Sequence, residues 1–427
     1  MQIKPFKAFR FNPDAVGNVG DCVAPPYDVI SSDLQQRLYE KSRYNIVRII
    51  KGKTTPSDNG SSNQYTRAAE YLNNWIEKAI LKQDQIETIY AYVQDFELAG
   101  AEFQRFNFIA LAKLEEFGKT VRPHEQTLKG PMVDRLNLKR ATGAKFGLPF
   151  MLYEDERAIA DKIIERAASQ KPLIDFSDEN NVRHRLFAIT ADDDIDAITE
   201  MMLDKSCIIA DGHHRYTTAL TYAKESNNPA AGYQMIAFAN IRHDGLIVLA
   251  NHRLVGNLPN FSSEKLLAEL KENFEVIKTD SKRKMLAQMK AEHNRDKIAF
   301  GIYLGNNTFY VAVLKDKKVM DWVVPEKSAA WRSLDVAVLH KLILEKLLGI
   351  DEKKLASQSN LEYVKDANNA IDESIAKVNG GQKQAAFFVN PVKMQQLKTV
   401  TDAGERMPQK STYFYPKIYT GLTINKL

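Results

Sequence analysis

The strongest candidate for chemistry lies where an apolar stretch at 207–210 ends in the run Asp211-Gly212-His213-His214-Arg215. The pattern predicts a strand that stops at a carboxylate, a glycine that permits an unusual backbone angle, and a helix that begins with His-His-Arg. A helix N-terminus presents backbone N–H groups and the positive end of the helix dipole. With a guanidinium and imidazoles added, the run predicts phosphate binding by Gly212, His213, His214 and Arg215.

Two other interpretations of this run stay open. In the first, Asp211 only caps the helix and the histidines are surface donors. In the second, Asp211 and the histidines bind a metal ion. Because neighbouring helix residues point about 100° apart, His213 and His214 do not readily share one ion, and we assign no metal ligands.

A second candidate is the run Arg122-Pro123-His124-Glu125-Gln126-Thr127, which precedes a predicted helix at 131–143 that carries Arg135. Proton transfer from a hydroxyl needs a carboxylate or an imidazole within hydrogen-bond reach. His124 and Glu125 are therefore a candidate acid–base pair on a loop, although a His-Glu dipeptide also arises by chance.

Two further runs carry candidate ligand-binding groups. In APPYDV (24–29), two prolines fix a rigid turn before Asp28, which either binds a ligand or caps a helix. In MPQKSTYFYPK (407–417), lysines and hydroxyls suit a phosphorylated or carboxylated ligand, or the run forms an edge strand that packs on the core. The hydroxyls there are Ser411 and Thr412, and the lysines are Lys410 and Lys417.

Composition excludes several classes of protein. The 427 residues are 44% hydrophobic, which excludes wholesale disorder, and a net charge of +5 on this length argues against DNA binding. There is no CxxC, GxGxxG, Walker A, HExxH or GxSxG motif. Neither a secretion signal nor an apolar run of about 18 residues is present, which predicts a cytoplasmic protein without membrane spans.

The elements that must position these groups read as a mixed α/β (α+β) chain. The runs at 88–98 and 102–114 predict a hairpin that turns at 99–101, and the run at 44–50 predicts a strand. A linker is predicted at 257–265. We expect three regions: an N-terminal α/β region at 1–120, a core at 121–256 and a C-terminal α/β region at 257–427.

The runs APPYDV, RPHEQT with a following DR, ADGHHRYTTAL and MPQKSTYFYPK resemble a bacterial family catalogued as domain-of-unknown-function family 1015. The resemblance covers nearly the whole chain. One segment is also similar to the ParB/sulfiredoxin fold, in which a Pro-His-Glu loop, a helix, a Pro-containing strand entry and an Asp-Gly-His-His-Arg helix start follow in order. The resemblance implies a ParB/sulfiredoxin-like core with N-terminal and C-terminal α/β additions.

Sulfiredoxins bind ATP phosphates with Gly-Cys-His-Arg at this helix start, and His213 stands here in place of the reactive cysteine. ParB proteins carry a helix-turn-helix, which we do not find in the sequence. A chemical parallel is offered by the ParB-like free serine kinase, which has a Pro-His-Glu loop and an Asp-Gly-His-His-Arg loop. That resemblance implies Glu125 as general base on a serine hydroxyl, with His124 and Asp211 in the catalytic group and the helix start positioning nucleotide phosphates.

These resemblances imply a phosphotransferase acting between a nucleotide, ATP or ADP, and free serine or phosphoserine. Phosphate charge is expected to recruit Mg²⁺, held through water by Asp28 or Asp211. The alternatives are a phosphoserine phosphatase-like hydrolase and a non-catalytic ParB-like nucleotide-binding regulatory protein. The tail either folds over the helix start or serves a homodimer. The expected substrate-binding residues are Asp28, Arg135, Lys410, Ser411 and Thr412.

Overall fold

The protein is described from a computed structural model that covers residues 1–125, 129–357 and 359–427. The chain divides into two compact units, one of residues 1–247 with 416–427 and one of residues 248–415. Residues 416–427, which include the end of the run at 407–417, return to the first unit. The three regions predicted from the sequence have other boundaries than these two units, and they stay a prediction.

The first unit mixes short helices with strands, as the sequence predicts. Its strands are β1 (Ile3–Lys4), β2 (Phe9–Phe11), β3 (Leu81–Gln83), β4 (Ile89–Leu98), β5 (Ala101–Lys113), β6 (Val121–Pro123), β7 (Ala144–Lys145), β8 (Phe150–Tyr153), β9 (Ile174–Ser177), β10 (Arg183–Ile189), β11 (Cys207–Asp211) and β12 (Tyr233–Asn240). Its helices are α1 (Pro13–Val16), α2 (Ser32–Lys41), α3 (Val47–Ile50), α4 (Gln64–Glu77), α5 (Lys129–Thr142), α6 (Ile159–Ala168), α7 (Asp192–Leu203) and α8 (His213–Glu225). Within the described parts of the chain, no helix combines the length and the apolar character that crossing a bilayer requires.

The main sheet of the first unit has the strand order β6-β11-β8-β12-β5-β4-β10-β9, with β1 added beside β5. Two neighbouring pairs are parallel, β6 with β11 and β12 with β8, whereas the other pairs are antiparallel. The sheet is therefore mixed, and its parallel edge carries both runs that the sequence singled out for chemistry.

The predicted hairpin is confirmed as β4 and β5. Its turn is formed by Ala99 and Gly100, both with positive φ (51° and 79°), and Leu98 pairs with Ala101 across it. A two-residue turn with positive φ at both positions matches the twist of antiparallel strands. The halves of both strands that lie away from the turn are buried, and the hairpin forms the middle of the sheet.

The core of the first unit lies between the sheet and its helices. Ile163 of α6 and Ile198 of α7 are buried in the same apolar cluster as Val93 and Phe108 of the hairpin. The strand predicted at 44–50 is wrong, because this stretch contains the helical turn α3. A short run that is apolar throughout looks the same whether it is a buried strand or a buried helix, and periodicity cannot separate the two.

The second unit has a sheet of its own, ordered β15-β17-β16-β19-β14-β18 with antiparallel neighbours. Its strands are β13 (Ile247–Leu249), β14 (Asn251–Val255), β15 (Phe274–Thr279), β16 (Ala299–Tyr303), β17 (Phe309–Leu314), β18 (Leu361–Lys365), β19 (Ala385–Phe388) and β20 (Tyr413–Tyr415). Its helices are α9 (Ser263–Leu270), α10 (Lys282–Asn294), α11 (Val319–Val323), α12 (Ala329–Arg332), α13 (Asp335–Val338), a π-helix (Leu339–Glu345), α14 (Glu352–Ser357), α15 (Ala370–Asn379) and α16 (Met394–Asp402). The chain then re-enters the first unit, where β21 (Asn425–Lys426) pairs with β7.

Candidate functional site

The two strongest runs of the sequence meet at one edge of the sheet. Strands β6 and β11 are parallel, with Cys207 opposite Val121 and Ile209 opposite Pro123. Because parallel strands end at the same edge, the residues that follow them become neighbours. His124 and Glu125 therefore lie beside the start of helix α8. We call residues 123–125 the Pro-His-Glu loop and residues 212–215 the helix start.

Gly212 makes the turn from β11 into α8 possible. Its φ of +88° lies in the left-handed region, and a Cβ built on it would lie 2.9 Å from the Cα of Pro149. Both facts exclude a larger residue without rearrangement. Gly212 is itself the residue that precedes the helix, and no side chain caps α8. The interpretation in which Asp211 caps the helix is therefore wrong.

Asp211 forms ion pairs instead. Its Oδ2 accepts a hydrogen bond from Nζ of Lys417 at 3.0 Å, and its Oδ1 lies 3.6 Å from Nη2 of Arg215. Burial alone would raise the pKa of Asp211, but the charges of Lys417 and Arg215 and the Lys417 hydrogen bond hold that pKa well below its ordinary value. Asp211 is thus a carboxylate at neutral pH.

The backbone that carries Lys417 is held by two buried polar side chains of the β4–β5 hairpin. Nε2 of Gln94 donates to the Lys417 carbonyl at 3.0 Å, and Nη2 of Arg105 donates to the Pro416 carbonyl at 2.6 Å. Gln94 and Arg105 face each other across the hairpin, and Nη2 of Arg105 also donates to the side-chain Oε1 of Gln94. Sequence reasoning missed both residues, although a buried strand pair interrupted by glutamine and arginine was a signal for them.

His213 joins the helix start to the Pro-His-Glu loop. Its Nε2 accepts hydrogen bonds from the backbone N–H groups of His124, at 3.2 Å, and Glu125, at 3.3 Å. An Nε2 that accepts carries no proton, so the ring holds its proton on Nδ1. The ring is buried, with 6% of the residue exposed. His213 was predicted to bind phosphate, and its geometry gives it this additional part in placing Glu125.

His124 is buried against His213, with the ring centroids 4.7 Å apart and the ring planes inclined by 66°. Its Nδ1 donates to the carbonyl of Ile209 on β11. Burial lowers the pKa of His124 despite the nearby carboxylates of Glu125 and Asp211. His124 is thus a neutral imidazole with its proton on Nδ1, and it fixes the loop to the strand.

Glu125, His214 and Arg215 complete the edge. Glu125 and His214 are partly exposed. Among residues 1–125, 129–357 and 359–427, we find no hydrogen bond or ion pair to the Glu125 carboxylate. Nη1 of Arg215 donates to the Leu148 carbonyl at 2.6 Å, which ties the guanidinium to the chain before β8. Gln126 and Thr127 of the predicted run lie outside the described residues.

Asp28 and Arg135 lie in the first unit, and Arg135 lines the same cavity as Arg215 of the helix start. Asp28 is exposed in a single helical turn, Tyr27–Val29. The Arg135 guanidinium lies 4.0 Å from the ring centre of Tyr27 and donates to Asp134 and to the Ile50 carbonyl. Burial raises the pKa of Tyr27 to about 12, against the opposing effect of the charges of Arg135 and Arg215.

The other predicted substrate-binding residues lie in the second unit. The Lys410 carbonyl accepts hydrogen bonds from Asn251 and Arg253, each at 3.1 Å, and Lys410 has a φ of +57°. Oγ of Ser411 donates to the Pro408 carbonyl, and Thr412 precedes β20. Their predicted role in binding substrate stays a prediction.

No group of three or more His, Cys, Asp or Glu side chains in the described parts of the chain is placed to hold a metal ion. The carboxylates at the helix start and its adjoining loop are Asp211, which is already paired, and Glu125. Binding of Mg²⁺ therefore stays a prediction.

The chain belongs to a family described as a protein of unknown function (DUF1015), whose model matches residues 3–337. A search of curated proteins gave no match. Similar solved structures include a mutant of a free serine kinase in complex with ADP, with 12% identity, a TM-score of 0.37, and coverage of 72% of this chain and 87% of that one. A conserved hypothetical protein from Pyrococcus furiosus has 14% identity, a TM-score of 0.35, and coverage of 75% and 94%. C-terminally truncated SbnI from Staphylococcus aureus has 9% identity, a TM-score of 0.34, and coverage of 73% and 84%.

Proposed function

We propose that this protein is a phosphotransferase that moves a phosphoryl group between a nucleotide, ATP or ADP, and the hydroxyl of free serine. The observation that carries the proposal is the bond from the Glu125 N–H to Nε2 of His213. It places a carboxylate on a loop directly beside a helix start that carries an arginine. Phosphoryl transfer needs positioned phosphates, neutralised charge and an aligned hydroxyl.

The helix start supplies the phosphate-binding part of the proposal. Helix α8 runs for 13 residues from His213, so its first turn directs backbone N–H groups and the positive dipole end outward. His214 and Arg215 add hydrogen-bond donors there. Lys417 is paired with Asp211 but remains partly exposed, with 16% of its side chain accessible. A phosphate bound at the helix start would meet Lys417 and Arg215 as its counter-charges.

Glu125 supplies the proton acceptor. In the forward direction the serine Oγ forms a bond to the terminal phosphorus, the phosphorus–oxygen bond to the nucleotide breaks, and the Oγ proton passes to Glu125. The nucleotide leaves with one phosphate fewer. His124 and His213 act as positioning residues. The ring of His213 holds the backbone N–H groups of His124 and Glu125, and the ring of His124 holds the carbonyl of Ile209. Mg²⁺, bound by the phosphates, would neutralise charge that develops on them.

The test is phosphorus NMR of the full chain with Mg²⁺, L-serine and either ATP or ADP, and separately with phosphoserine and no nucleotide. We expect phosphoserine to form as the nucleotide loses one phosphate. Glu125→Gln should lower the rate by about 10²–10⁴-fold, which is the usual contribution of a general base, and should spare nucleotide affinity. Glu116→Gln is the matched control, since Glu116 is an exposed surface glutamate paired with Lys224.

Other outcomes would replace the proposal. Inorganic phosphate released from phosphoserine without nucleotide would identify a phosphatase-like hydrolase. No change in any mixture would leave a non-catalytic nucleotide-binding protein. Full turnover in Glu125→Gln would remove Glu125 from its role as base.

A further inference from the structure

A cavity with basic walls lies in the first unit beside the helix start. It is partly open to solvent and has a volume of about 60 Å³. Four of its lining side chains are cationic, and none of the described residues that line it is a carboxylate. Apolar wall is supplied by Ile50, Leu138 and Phe146. The cationic residues are Arg135, Lys139, Lys145 and Arg215. We call this space the basic cavity.

Two of the four cations have carboxylate partners. Arg135 donates to Asp134 at 2.9 Å through Nε, and Arg215 lies 3.6 Å from Asp211. The lysines differ. Among the described residues, we find no carboxylate within ion-pair distance of Lys139 or Lys145.

Both lysines are deeply buried and are held by neutral groups. Lys139, on α5, is 7% exposed, and its Nζ donates to Oε1 of Gln234 at 3.1 Å. Lys145, on β7, is 3% exposed, and its Nζ donates to Oδ1 of Asn425 at 2.6 Å and to the Ala230 carbonyl at 3.3 Å. A buried ammonium without a counter-charge is strongly disfavoured.

The pKa values of both lysines are lowered, as expected for buried ammonium groups without a carboxylate partner. Burial lowers the pKa of Lys139 to about 8. Burial, together with the charges of Lys139 and Lys4, lowers the pKa of Lys145 to about 7. An anion against these side chains would supply the missing partner and raise both values.

We propose that the basic cavity binds the oxyanion group, carboxylate or phosphate, of a small metabolite against Lys139 and Lys145, with its apolar part against Ile50, Leu138 and Phe146. The proposal does not rest on the proposed function, because neither lysine is assigned a part there. For a ligand of this class, the cavity wall offers cationic side chains to the oxyanion and an apolar surface to the rest of the molecule.

Binding would be accompanied by proton uptake. Near pH 8 Lys139 is partly protonated and Lys145 is mostly neutral, so an anion that raises their pKa values draws protons from the buffer. The other charged and titratable side chains that face these lysines set the background of the measurement. Lys4 and Tyr222 act on the lysines directly, and Tyr27, Arg135 and Arg215 line the same cavity. Asp134 is the carboxylate partner of Arg135.

The test is isothermal titration calorimetry of the full chain at about pH 8, with inorganic phosphate and with succinate as separate probes. Each titration is run in two buffers of different ionisation enthalpy, which gives the number of protons taken up. We expect at least one probe to bind with proton uptake. Lys139→Met and Lys145→Met should each weaken binding by about tenfold or more, as for loss of a charge-assisted hydrogen bond, and should reduce the uptake.

Lys224→Met is the control, since Lys224 is a largely exposed lysine on α8, and it should change neither quantity. Binding of phosphate alone or of succinate alone would identify the oxyanion. The proposal is overturned if neither probe binds, if wild type takes up no protons, or if binding persists unchanged in both lysine variants, which would place the anion at the helix start. Glu125→Gln should leave this binding intact, so failure of the phosphotransferase proposal would be seen separately.

Discussion

Nζ of Lys417 lies 3.0 Å from Oδ2 of Asp211, although 206 positions of sequence separate the two residues. The pair brings the end of the chain to the carboxylate that precedes the helix start. Of the two tail lysines that the sequence left undecided, Lys417 is in the first unit with the helix start, and Lys410 is in the second unit. The ion pair makes the last segment of the chain a part of the candidate site.

Lys417→Met should therefore destabilise the first unit. The variant leaves Asp211 partly buried with only the more distant Arg215, so burial would raise the Asp211 pKa and the free energy of unfolding should fall by about 1–3 kcal/mol. The contribution of the pair is fully present above the ordinary Asp pKa of 3.8, decreases progressively as the pH falls below 3.8, and is fully lost below the lower folded value. Urea unfolding at pH 7 and at about pH 3 measures both effects.

Lys426→Met is the control for that experiment, because Lys426 is exposed in the same segment and, among the described residues, its Nζ donates only to Oδ1 of Asn73. It should alter stability by less than about 0.5 kcal/mol. Equal losses in the two variants would assign the effect to the segment and not to the ion pair.

Gly212→Ala should damage both stability and ligand binding at the helix start. An alanine there must adopt a φ of +88° and place its Cβ 2.9 Å from the Cα of Pro149 and from Nε of Arg215. Strain and displacement of Arg215 should lower the free energy of unfolding by about 1–3 kcal/mol and weaken nucleotide binding. Thermal unfolding and calorimetry with ADP test the two effects. Gly232→Ala is the matched control, since its Cβ would meet nothing within 4 Å.

His213 offers a way to separate positioning from phosphate binding. His213→Phe fills the space but leaves the N–H groups of His124 and Glu125 without their acceptor. We expect a loss of about 1–3 kcal/mol in stability and a fall in kcat with little change in nucleotide Kd. His213→Gln, which retains an acceptor, should recover part of kcat. A large rise in nucleotide Kd with unchanged kcat would instead support the phosphate-binding role predicted from the sequence.

Local patterns predicted the elements on which the site stands. A buried strand ending at Asp211, a helix starting beside it and the β4–β5 hairpin all follow from residue periodicity and glycine positions. These signals act within about ten residues. The stretch at 44–50 shows their limit, since its uniform apolar character did not reveal that Val47–Ile50 is helical.

Long-range contacts could not be predicted in the same way. The sequence around Gln94 and Arg105 does not predict that these side chains bind the backbone of Lys417 and Pro416, which lie more than 300 positions later. Likewise, the order β6-β11-β8 places His124 beside His213 through strand pairing that the sequence alone leaves open. The predicted site combined the two runs on the strength of a sequence resemblance, and the register of β6 with β11 gives a physical reason for their proximity.

The buried lysines of the basic cavity give a prediction about stability and pH. The pKa of Lys139 falls from 10.5 to about 8 on folding, so the folded state binds fewer protons than the unfolded state between those values. Its charged form therefore destabilises the fold fully below about pH 8, and this effect vanishes as the pH rises to about 10.5. Lys139→Met removes that charge at nearly constant volume. Since one pKa unit corresponds to about 1.4 kcal/mol, the gain at pH 7 is at most about 3 kcal/mol, less about 1 kcal/mol for the lost bond to Gln234.

We accordingly expect Lys139→Met to be more stable than wild type by about 1–2 kcal/mol at pH 7 without added anion, and the advantage to shrink by pH 9.5. Urea unfolding of both proteins across this range is the measurement, with Lys224→Met as a variant whose difference from wild type should not change with pH. Added phosphate or succinate should stabilise wild type more than Lys139→Met, because the variant keeps only Lys145 of the two lysines that the anion would contact. A variant less stable than wild type at pH 7 would mean that Lys139 is a structural hydrogen-bond donor, already satisfied by Gln234, and not a cation that awaits a ligand.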